Sequence, residues 1–169
     1  MRPPGRAAEL GSLGDITRMG LFNRLFGQKP PPDAPPERVS ESVTTMEQFL
    51  RGIMSHYGDA HFQGDSQAKQ ILSVYSFGGI SALAIQHGMS PPQAHAVCLA
   101  LLTKFFGFEP ADAASKAEAV ITAAPDRTSH LYGIIHRGAD SFRHWQEHSD
   151  DGAAKDFAEI MAHFQKAKK

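Results

Sequence analysis

The sequence predicts an all-α protein: a compact orthogonal or antiparallel bundle of about six helices behind a disordered, proline-rich N-terminal extension. Three observations carry this. From residue 44 onward, apolar residues return every three or four positions, the spacing of a buried helix face. No stretch alternates apolar and polar residues as a half-buried strand does. Capping residues and prolines stand where these periodic runs begin, and glycines where they end.

The elements follow in order. The first helix is expected over about Thr44 to Tyr57, with Thr44 and Glu47 as a capping box and Met46, Phe49, Leu50, Ile53, Met54 and Tyr57 on one face. Gly58 stops it. The second runs from about Ser66 to His87, with Gly88 as its C-cap. Ser90 then caps a third helix, with Pro91 at its first position, Gln93 as box partner, and a stripe of Ala94, Val97, Cys98, Leu101, Leu102 and Phe105 ending at Gly107. A fourth spans Pro110 to Ala124 with a thin face of Ala113, Ala117, Val120, Ile121 and Ala124. The fifth runs from about Thr128 to His148 with Leu131, Ile134, Ile135, Phe142 and Trp145. The sixth follows the turn at 149–152 with Phe157, Ile160, Met161 and Phe164.

Residues 1–39 read differently. "KPPPDAPPERVS" is too rich in proline for a helix interior or a central strand, so 1–39 is expected to be a linker-like extension and 40–169 the helical domain. "MGLFNRLFG" (19–27) has the look of a bacterial protein start, which makes Met19 the expected initiation site. It lacks the Ser or Thr of a myristoylation signal.

Adjacent glycines in the second helix, Gly78 and Gly79, need a reason, since glycine costs about 1 kcal/mol relative to alanine in a helix interior. Ala68, Leu72, Tyr75, Gly79 and Leu83 share one face, and Val74, Gly78, Ser81 and Ile85 the next. A helix apolar nearly all round is central to its fold. Glycine on its contact faces lets a neighbouring backbone approach closely. Gly138, between Ile135 and Phe142, repeats the device on the fifth helix.

The formal net charge is −1, without the clustered basic surface that nucleic acid requires. A single cysteine, Cys98, excludes an intramolecular disulfide, and a reducing cytoplasm is the expected location. No uninterrupted apolar run approaches the ~20 residues of a membrane span, so no membrane partner is expected.

Candidate chemistry is sparse. "HWQEH" (144–148) matches a zinc-protease pattern in which His144 and His148 share a helix face and Glu147 is the base. That chemistry needs a further carboxylate ligand downstream and a larger fold, and only 21 residues remain. A zinc enzyme is therefore the weakest reading, and His144 and His148 are expected on the rim, turned outward by a core Trp145. Cys98 lies on an apolar stripe and reads as a small hydrophobe. Ser129 and His130 are adjacent and point apart on a helix. "SFGGIS" lacks the spacing and lysine of a phosphate loop. No catalytic residue, metal or cofactor is expected, and the protein is read as a non-enzyme.

The acids are more informative. Residues 40–169 carry 14 Asp and Glu against 11 Lys and Arg. Asp140, Glu147, Asp150 and Asp151 gather at the end of the fifth helix and the next turn, a candidate surface for a basic partner. Asp150 or Asp151 also suits the cap of the sixth helix.

"YSFGGISALAIQHGMSPPQAHAVCLALL" (75–102) and "IIHRGADSFRHWQEHSDDGAAKDFAEIM" (134–161) resemble the small all-α immunity proteins of bacterial polymorphic toxin systems. The shared features are an aromatic–Gly–x–Ile–x–Ala–Leu helix, a capped helix after Gly88, and a Gly–Ala…Trp…Asp–Asp helix end before a last amphipathic helix. They span about 44–164. The resemblance implies a protein that binds and blocks a cognate toxin of the same bacterium, with no catalytic residues of its own. The proline-rich lead is not part of the pattern. A helical adaptor or secretion chaperone is the alternative.

Overall fold

The computed structural model describes residues 33–167. These form seven α-helices: α1 Pro36–Tyr57, α2 Asp59–Gly64, α3 Ser66–His87, α4 Pro91–Ala100, α5 Pro110–Ala123, α6 His130–His148 and α7 Gly152–Lys166. Among the described residues there is no strand, and the all-α expectation holds. The extension over 1–32 and the start at Met19 lie outside the described residues.

Helix α1 begins eight residues before Thr44. Pro36 stands in its first turn, where a missing N–H costs nothing. Proline density masked this start, because proline blocks a helix interior and not its beginning. Thr44 is no cap: its hydroxyl donates to the Ser40 carbonyl oxygen at 3.2 Å inside the helix. Nor does packing begin at residue 40. Ala34 is buried, and its N–H and C=O pair with the Gln93 side chain at 2.8 and 2.7 Å. Ser90 donates its hydroxyl to Asp33 and its N–H to Gln93. The expected capping box of Ser90 and Gln93 thus forms, and the Ser90 hydroxyl also ties α4 to the chain entering α1.

The segment after Gly58, read as a connection, is a seventh helix. Asp59–Gly64 makes α2 and buries Phe62. The C-terminus of α4 also departs from regular spacing. Leu101–Phe105 is a π-helical turn, with the Phe106 N–H on the Leu101 carbonyl at 3.0 Å. One extra residue in the turn shifts the register, so Phe106 is buried and Phe105 only half-buried.

Helix α3 is the centre. By length and hydropathy its 22 residues could cross a membrane, yet they lie inside the protein with most side chains buried. Its most extensive contact is with α6. Gly78 lies against Ile135 and Ala139, Gly138 against Tyr75, and Gln86 is hydrogen-bonded to Gln146. Numbers rise together along both helices, so α3 and α6 run parallel. The chain crosses back through α4 and α5 between them. Helices α1 and α7 pack beside this pair, and Phe49, Tyr57, Tyr75, Phe142 and Phe157 join their faces through ring contacts.

Candidate partner-binding surface

The four candidate acids lie on α6 and in the turn before α7, and all are exposed. Asp140 and Glu147 are seven residues apart, two turns, and share a face. Ser149, in the left-handed region at φ 51°, ends α6 and turns the chain toward α7. Asp150 and Asp151 stand in that turn. The acidic edge is therefore one face of the C-terminal half of α6 together with the turn that ends it.

Each acid has a local companion, which for Glu147 is the His148 ring at 4.0 Å. Asp140 accepts from Arg143 at 2.9 Å, and Asp151 pairs with Lys155 at 2.9 Å. Asp150 accepts the Gly152 N–H at 2.9 Å and lies 2.9 Å from His144 Nε2. The Asp150 carboxyl is held below its ordinary range, first by that N–H and then by His144. Lys155 does the same for Asp151. Asp150 is thus the side chain that caps α7, satisfying one of its orphan amides. Such exposed pairs contribute little to stability and exchange readily. A basic partner can replace Arg143 or Lys155 at small cost.

What ties these helices together was not visible in the sequence. Asp156 of α7 accepts from the Tyr75 hydroxyl of α3 at 2.9 Å, and from Ser141 and Arg137 of α6 at 3.1 and 2.8 Å. Arg137 reaches on to Glu159 at 3.0 Å. Burial pushes the Tyr75 phenol well above its usual range. One carboxylate therefore joins three helices. No local pattern signals it, because Tyr75 and Asp156 are 81 residues apart.

The histidines sit outward of this frame. The rings of His144 and His148 stack at 4.2 Å, and His148 Nδ1 reaches the His144 carbonyl at 3.1 Å. Among the described residues no group of three His, Cys, Asp or Glu is placed to hold a metal ion. Trp145 is half-buried against Phe49 and Phe142, 5.4 and 5.8 Å between centroids, which turns its histidine neighbours outward. Cys98 is buried, and burial pushes its thiol up to about 12, leaving an inert small hydrophobe. Ser129 caps α6 by accepting the Leu131 N–H at 3.2 Å, so Ser129 and His130 stand at the start of a helix.

No curated protein and no solved structure matches the chain. A family model described as Immunity protein 48 does, over residues 38–165, from the first turn of α1 to the last turn of α7. That span takes in both α3, with its paired glycines, and the acidic edge at the α6–α7 turn, and the chain belongs to this immunity protein family.

Proposed function

We propose that this protein neutralises a cognate toxin of the same bacterium, in the cytoplasm, by forming a stoichiometric complex without turnover. The observation that carries the reading is the exposed acidic edge of Asp140, Glu147, Asp150 and Asp151, on helices that Asp156 ties together through Arg137, Ser141 and Tyr75. Family membership supplies the immunity role, and the charge of the edge selects a basic site on the toxin. A preformed surface loses less conformational freedom on binding. Clustered carboxylates speed encounter with a basic partner and fix the orientation of docking. Inhibition follows from coverage of the toxin's site, so no residue of this chain needs to act as nucleophile or base.

The test is co-expression in a sensitive host. The C-terminal domain encoded by the neighbouring gene is produced with and without this chain. Growth is expected to be rescued by the chain and by its His144→Ala/His148→Ala variant. Asp140→Lys/Glu147→Lys is expected to weaken rescue while the circular dichroism spectrum stays the same, since neither residue caps a helix. Full rescue by that variant removes the acidic edge from the interface. Rescue that depends on His144 and His148 returns the zinc reading.

A further inference from the structure

Helices α3 to α7 enclose a half-open cavity of about 330 Å³ at the opposite end of α6 from the acidic edge. Its walls are apolar. Ile71 and Val74 come from α3, Leu102 from the π turn, Val120 from α5, Ile134 from α6 and Phe164 from α7. Four of these, Ile71, Leu102, Val120 and Ile134, belong to the hydrophobic core, so the walls are preformed by packing. Cys98, protonated and buried, contributes a further neutral surface.

The charged group in the lining is a cation, Lys116. Lys116 and His130 border the cavity, the other polar groups are Gln67, Gln70 and Ser73, and no Asp or Glu is among its lining residues. That is unusual in a domain with more acids than bases. The Lys116 ammonium lies 4.8 Å above the Phe108 ring and 3.6 Å from Asp112, a half-exposed carboxylate outside the lining. A separation of 3.6 Å is longer than a hydrogen bond, so the ammonium keeps donors to offer. The volume lies at the lower end of small-molecule sites, which combine apolar walls with a few polar groups that orient the ligand.

We propose that this cavity binds a small amphiphilic carboxylate, its hydrocarbon chain against Val74, Ile134 and Phe164 and its carboxylate at Lys116 and His130. The cavity lies away from the acidic edge, so the proposal does not depend on that edge being the toxin interface. The competing occupant, a side chain of a protein partner, is distinguished by the same test.

Octanoate, octanol and octylamine are titrated into the purified full chain by calorimetry, with binding confirmed by saturation-transfer NMR. Octanoate is expected to bind one molecule per chain, octanol at least about tenfold more weakly, and octylamine not at all. Lys116→Glu is expected to weaken octanoate by about tenfold or more. Ala119→Trp places a bulky ring at the mouth from an exposed position and is expected to abolish binding with the fold intact by circular dichroism. The proposal is overturned if octanol binds as tightly as octanoate, if Ala119→Trp still binds octanoate, or if octanoate does not bind. Loss of toxin rescue in Ala119→Trp, without octanoate binding to the unmodified chain, assigns the cavity to a partner side chain instead.

Discussion

Gly78 and Gly138 bring the backbones of α3 and α6 into direct contact. A Cβ on Gly78 would lie 1.9 Å from the Ile135 carbonyl oxygen, and one on Gly138 would lie 2.0 Å from that of Tyr75. Backbone atoms inside packed helices cannot step aside as a side-chain end can. Gly78→Ala and Gly138→Ala are each expected to lower stability by about 1–3 kcal/mol or more, because overpacking outweighs the gain in helix propensity. Gly79 differs. Its Cβ would meet the flexible end of Met46 at 2.9 Å, so Gly79→Ala is expected near neutral, while Gly79→Leu destabilises by about 1–3 kcal/mol. Urea midpoints measure all four. An unchanged midpoint for Gly78→Ala contradicts the close approach.

Asp156 is expected to be the most sensitive polar position. Asp156→Ala leaves Arg137, Ser141 and the buried Tyr75 hydroxyl without their shared acceptor, at a cost of about 1–3 kcal/mol. Tyr75→Phe removes one donor and keeps the rest, costing about 0.5–1.5 kcal/mol. Thermal or urea unfolding reads both, and equal effects of the two variants would mean that Asp156 does not join the three helices.

The start of α1 carries weight of its own. A chain beginning at Ser40 loses the bonds of Ala34 to Gln93, that of Asp33 to Ser90, and the first turn of α1. It is expected to melt several degrees below a chain beginning at Asp33, since about 1 kcal/mol is worth a few degrees in a domain of this size. Identical melting temperatures would place the structural boundary at residue 40 after all.

Asp65 and Tyr57 set both limbs of a local pH dependence. Asp65 accepts the Ala68 N–H and the Tyr57 hydroxyl, at 3.0 and 2.9 Å. The Ala68 bond, more than any other contact, holds its carboxyl below the usual range. A folded value below the unfolded one means the contribution is complete above about pH 4 and is lost as pH falls further. Asp65→Ala is expected to cost about 1 kcal/mol at pH 7 through the lost cap, with the gap to the unmodified protein narrowing in acid. The Tyr57 phenol is pushed up to about 12 by burial and by Asp65. A raised value means stability is held up to about pH 10 and lost as pH climbs toward 12. Tyr57→Phe is expected to lack that alkaline component. Parallel pH profiles for variant and parent would contradict the pairing.

Much of the architecture was legible because it is written in neighbours three or four residues apart. The Ser66 start and Gly88 stop of α3, the Pro91 start of α4 and the acid-rich end of α6 are local decisions of capping, proline geometry and periodicity. Even the glycines announced a close contact, since only packing repays their cost in a core helix. The partner of that contact was not announced. That α3 lies parallel to α6 depends on residues 60 positions apart, Gly78 with Gly138 and Gln86 with Gln146, whose meeting no local signal encodes. The same holds for Asp156, which joins three helices, for the entry of residues 33–39 into the fold through Ser90 and Gln93, and for the cavity shared by five helices. Local chemistry determined which segments are helices and which of their faces are buried. Only the tertiary structure decided which faces meet, because that choice is settled by the joint packing of all the helices at once.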